Sequence, residues 1–111
     1  MENSLFFMPL LVGGIFVLAG FLMYTFPPNE INPLYGYRTN SSMKSKERWD
    51  FAQIYSAKVM IFCGFGLLLC SLAGLFVKVS EGKGVLFASI EIFLALGTLI
   101  YKTETAIKKR F

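Results

Sequence analysis

Three stretches almost free of charge leave this chain few ways to fold. Leu5 to Phe26 is 22 residues without a charge, Val59 to Val77 is 19, and Val85 to Tyr101 is 17 with Glu91 as its one interruption. As α-helices rising about 1.5 Å per residue they extend roughly 33, 28 and 25 Å, against a hydrocarbon core of about 30 Å. A soluble bundle would need polar positions every third or fourth residue, and these runs have none. With 55% hydrophobic residues over 111 positions, the sequence predicts an all-α integral membrane protein forming one domain. Its three transmembrane spans fall at about 5–26, 55–77 and 85–102, with a polar loop over 27–54.

The first span differs from a cleaved signal peptide. No basic segment precedes it, its apolar stretch is long, and Tyr24-Thr25-Phe26 offers no small-residue cleavage site, so a retained span is expected. Charge then sets the orientation. Arg38, Lys44, Lys46, Arg48 and Lys58 lie between the first two spans, and Lys102, Lys108, Lys109 and Arg110 follow the third. With three spans, nine of the eleven basic residues share one side. The positive-inside rule makes that side cytoplasmic, with the N-terminus outside. The pI near 9.2 therefore reflects topology, and no nucleic-acid-binding motif accompanies it.

Small residues are the informative ones for packing between membrane helices. Gly66, Cys70 and Gly74 recur at four-residue spacing in the second span and predict a packing ridge, within one protomer or between protomers. Gly13 and Gly20 stand two turns apart in the first span. Cys63 and Cys70 lie about 10 Å apart on one helix, too far for a disulfide, and read as packing residues.

Glu91 is the conspicuous intramembrane charge, and such a residue is costly to place. One reading has it carry or sense a proton or cation; the other has it hydrogen-bond a neighbouring helix and fix packing. Packing is favoured, because a proton pathway needs more polar steps than this span supplies. Lys58 falls about 9 Å too shallow to reach it.

The unusual polar chemistry is concentrated between Ile31 and Gln53. Pro27-Pro28-Asn29 stops the first span, Asn32-Pro33 disfavours helix, and Gly36 permits a tight turn. Tyr35 and Tyr37 suit the headgroup zone. Ser42 or Ser45 can cap a new helix that runs from Lys46 without proline or glycine to Gly64. This predicts a cytoplasmic interfacial helix continuous with the second span, with Trp49 at the membrane boundary. Trp49, Ala52, Gln53 and Ser56 fall on one face of it, and Lys46 and Asp50 form a four-spaced ion pair.

The run Asn32-Pro33-Leu34-Tyr35-Gly36-Tyr37-Arg38-Thr39, then Ser42-Met43-Lys44 and Trp49-Asp50-Phe51-Ala52-Gln53, resembles the signature of the SdpI/YfhL family of small bacterial membrane proteins. It departs at Asn40, where proline is frequent in the family, and at Glu47-Arg48, where an acidic residue and threonine are common. The resemblance implies residence in the bacterial cytoplasmic membrane and immunity to, or sensing of, a secreted membrane-active peptide toxin. In one signalling branch it implies capture of a cytoplasmic transcriptional regulator. Its motif positions here are Asn32, Gly36, Tyr37, Arg38, Thr39 and Trp49. Arg38 is expected as the central polar contact, with Asn32 and Thr39 holding the loop around it, Gly36 turning the chain and Trp49 pinning the next helix.

Two other functions fit the residues: an accessory subunit of a larger membrane complex, and ion or proton translocation through Glu91. Expected partners are the bilayer, a membrane protein or a second copy, and a peptide toxin or cytoplasmic regulator. An enzyme fits poorly, since the chain has no histidine and no metal-ligand cluster, and no cofactor is expected.

Overall fold

The computed structural model describes residues 3–32 and 34–111. Three helices make up most of it: α1 (Ser4–Thr25), α2 (Lys46–Gly74) and α3 (Glu81–Arg110), with a short 3-10 turn at Ser42–Lys44. All three are long and apolar enough to cross a membrane, and no strand occurs among the described residues.

Local chemistry sets the helix ends. The Ser45 side chain accepts a hydrogen bond from the Arg48 backbone N–H, and Ser80 accepts from Lys83, so α2 and α3 both begin on a serine cap. Glu47 and Glu81 follow in the first turns, where a carboxylate complements the helix dipole. Lys108, Lys109 and Arg110 do the same at the other end of α3. α2 is one uninterrupted helix of 29 residues that starts nine residues before the second span expected from hydropathy. It stops at Gly74 because Leu75 and Phe76 bond back to Leu72 and Ala73 in a tightened last turn.

α1 and α2 meet along glycines. A Cβ placed on Gly13 would lie 2.9 Å from the Gly64 carbonyl oxygen, and one on Gly20 would lie 2.9 Å from that of Ala57. At the far end Gly74 approaches the Leu5 carbonyl, where an added Cβ would stand 2.5 Å from the oxygen. Pro9, four residues after Leu5 and buried in α1, has no N–H to offer that carbonyl.

Within the protomer the expected ridge divides between two faces of α2. Gly74 enters the α1–α2 contact, whereas Gly66 and Cys70 line a groove between α2 and α3, and a Cβ on Gly66 would have nothing within 4 Å. A strict four-residue spacing drifts around a helix of 3.6 residues per turn. The face that packs alternates threes and fours through the buried Gly64, Leu67, Ser71 and Gly74.

Polarity is likewise sorted along the bundle. Ser4 in α1 donates to Glu81 at the start of α3, which brings the N-terminal end beside the α2–α3 connector. The loop after α1 and the last turns of α3 meet at the opposite end, where Tyr37 and Thr39 both reach Glu104. Nine of the eleven basic residues therefore belong to the loop end of a molecule 48 Å long.

Candidate functional site

The site is the polar loop and the two helices that grip it. On the loop, Gly36 has φ +112°, a left-handed value that favours glycine, and it is wedged tightly. A Cβ there would fall 2.5 Å from Gln53 Oε1 and 2.8 Å from Pro28 Cγ. The turn points the Tyr37 peptide at the fully buried Gln53 of α2. The Tyr37 N–H donates to Gln53 Oε1 (2.6 Å), and Gln53 Nε2 donates to the Tyr37 carbonyl (2.9 Å). One side-chain amide thus satisfies both backbone groups of a buried residue, which would otherwise cost about 1–3 kcal/mol for each unpaired group.

Ser42, also fully buried, ties the next turn. Its Oγ accepts from the Thr39 N–H at 2.9 Å and lies 3.0 Å from both the Tyr37 and Thr39 carbonyls. Upstream, Asn32 Oδ1 accepts from the Leu34 and Tyr35 N–H groups, and its Nδ2 donates to the Glu30 carbonyl. The Tyr35 hydroxyl donates back to the Phe26 carbonyl at the end of α1. Trp49, with no exposed surface, donates from its indole N–H to the Pro28 carbonyl at 2.8 Å. It pins the exit of α1 to the first turn of α2.

α3 supplies the second grip. The Tyr37 hydroxyl and the Thr39 hydroxyl both donate to Glu104 Oε2, each at 2.7 Å. Glu104 lies just beyond the apolar part of α3. Its partial burial pushes the carboxyl pKa up, but hydrogen bonds from Tyr37, Thr39 and Ser41 and the nearby charge of Lys108 outweigh that, and the group is held below its ordinary value. Burial first, then the hydrogen bond and charge of Glu104, push the Tyr37 phenol well above its ordinary value. At neutral pH the pair is an ionised carboxylate accepting from a neutral phenol, a charge-assisted bond.

Arg38 is not the hub of this network. Tyr37 is buried, Arg38 exposed and Thr39 partly buried, the alternation of an extended chain. Tyr37 and Thr39 turn inward to Glu104, and Arg38 turns out. Among the described residues it has no hydrogen-bond or ion-pair partner. Asn32 shapes its own turn and does not reach Arg38. The hub is instead the Tyr37 peptide together with Glu104. Pro33 lies outside the described residues.

Gln53, Ser42, Pro28 and Glu104 carry much of the network without having been singled out as site residues. Gln53 had a visible signal, a large polar residue on the same face as Trp49. Glu104, 65 residues beyond Thr39, had none. Glu91 sits elsewhere, on the side of α3 facing α2 near Gly66 and Cys70. Its Oε1 is buried without a hydrogen-bond partner among the described residues.

The sequence profile described as the SdpI/YfhL protein family matches residues 29–102, about two thirds of the chain. That interval begins at the loop and ends two residues short of Glu104. The uncharacterized protein YfhL of Bacillus subtilis (strain 168) is 47% identical over 64 residues, covering 53% of this chain and 58% of YfhL. The match thus spans little more than half of that relative's length. No solved structure matches the chain.

Proposed function

The chain belongs to the SdpI/YfhL protein family, and on that premise we propose that it gives immunity to, or senses, a membrane-active peptide toxin. It does so in the bacterial cytoplasmic membrane, with the N-terminus outside and the loop and C-terminal end in the cytoplasm. The orientation is supported by the gathering of basic residues at the loop end.

The observation that carries the functional reading is the exposed Arg38 between two inward-facing anchors, Tyr37 and Thr39. On a backbone already fixed by the clasp, only the Arg38 side chain has to be ordered on binding, and its guanidinium can engage a carboxylate, several carbonyls or a phosphate in fixed geometry. Trp49, Gln53, Ser42 and Glu104 serve as positioning residues that keep it presented. Translocation through Glu91 has less support. Between Glu91 and Lys102, the groove-lining face of α3 offers one hydroxyl, Thr98, and it is already bonded to the Leu94 carbonyl.

The test is a clean deletion, with and without a plasmid-borne copy, challenged with secreted membrane-active peptides from neighbouring strains. The deletion strain should lose viability or membrane potential at lower peptide doses, and the copy should restore both. Equal sensitivity of the two strains to every peptide would remove the proposal.

A further inference from the structure

α2 and α3 do not close on each other along their full length. A groove of about 600 Å³ runs between them, lined by Phe62, Gly66, Leu67, Cys70, Leu94 and Ala95, with Glu91 toward the α2–α3 connector. It shares Tyr55, Leu94, Thr98 and Lys102 with a second hollow of about 710 Å³ toward the C-terminal end of α3.

The two ends of this continuous channel differ in charge. Lys102 and Lys109 line the loop end beside Tyr55, and Lys58 stands close by, its Nζ 5.9 Å from the Tyr24 ring. Glu91 is the carboxylate among the lining residues, eleven positions and so about 16 Å from Lys102 along the same face of α3. Between the ends the walls are apolar apart from Thr98, whose hydroxyl donates to the Leu94 carbonyl. A Cβ added to either glycine on them, Gly66 or Gly97, would have nothing within 4 Å. They leave a clear track instead of bringing helices together.

We propose that this channel holds one anionic phospholipid. Its phosphodiester lies between the Lys102 and Lys109 ammonium groups and the Tyr55 hydroxyl, at the depth of the headgroups. One acyl chain runs over Gly97 and Gly66 toward Glu91, a length that matches half of a hydrocarbon core of about 30 Å. Charge complementarity selects the headgroup: two or three cations at one end, with the carboxylate held away at the other.

The test is native mass spectrometry of the full chain after incubation with phosphatidylglycerol or phosphatidylcholine of identical acyl chains. Wild type retains phosphatidylglycerol in preference, and Lys102→Gln with Lys109→Gln reduces that preference by roughly fivefold per lysine. Gly66→Leu, whose Cβ meets no neighbour and whose longer side chain enters the groove, lowers retention of both lipids while its helical circular dichroism is unchanged. Equal retention of the two lipids by wild type would overturn the proposal, as would undiminished retention by Gly66→Leu. A disulfide-linked dimer through Cys70 on oxidation of native membranes would also overturn it, by placing a second copy in the groove.

Discussion

At the residue scale, the order of the loop motif has a physical explanation. Gly36 must adopt φ +112° so that the Tyr37 peptide can face Gln53. Tyr37 and Thr39 then reach Glu104 while Arg38 between them stays exposed. Gly36→Ala should cost roughly 1–2 kcal/mol from the left-handed backbone alone, with the clash against Gln53 added. A lowered thermal midpoint in detergent would register it; an unchanged midpoint would contradict the turn. Glu104→Gln keeps an acceptor but loses the charge, and should cost about 1–2 kcal/mol. The pH dependence follows from the two shifts. Glu104 is held below its ordinary value, so its contribution is present above the unfolded carboxylate range and is lost as pH falls through the folded value. Tyr37 is raised, so its contribution is present below the ordinary phenol range and is lost as pH rises through its folded value. Thermal midpoints measured from neutral to acid pH should fall for wild type and fall less for Glu104→Gln. Parallel curves would contradict a Glu104 latch.

At the element scale, two glycines two residues apart on α2 make opposite predictions. Gly64→Leu drives a side chain into Val17 and the Gly13 carbonyl and should destabilise the α1–α2 pair by at least about 1–3 kcal/mol. Gly66→Ala adds a Cβ with nothing within 4 Å and should leave the thermal midpoint unchanged or raised, since it removes a helical glycine. The same pair marks what was legible in the sequence. Three long helices could be read from charge-free runs, and the serine cap and the Lys46–Asp50 pair from local spacing; both are present. Which face of α2 packs could not be read from small residues alone. Gly64 and Gly66 look alike in sequence, and only the position of Gly13 and Val17 on α1 distinguishes them. The partner of the loop was equally hidden. Glu104 sits among lysines at the end of α3, where a charge needs no special explanation, and its link to Thr39 spans 65 positions.

At the scale of the whole molecule, the bundle sorts its chemistry by height. Ser4 and Glu81 mark one end, while the motif loop and the last turns of α3 form the other, with Glu91 between. The loop thus belongs to the same end as nine of the eleven basic residues. A cysteine placed at exposed Asn40 should be labelled by a membrane-impermeant thiol reagent only after cells are opened, in a background with Cys63 and Cys70 replaced by serine. Labelling of intact cells would invert the topology. The central claim is that the clasped loop works by presenting Arg38. The direct measurement is survival under peptide challenge of cells carrying wild type or Arg38→Ala at matched membrane levels. Arg38→Ala should lose protection while keeping the wild-type thermal midpoint, because the Arg38 side chain has no hydrogen-bond or ion-pair partner among the described residues. Full protection by Arg38→Ala would contradict the account.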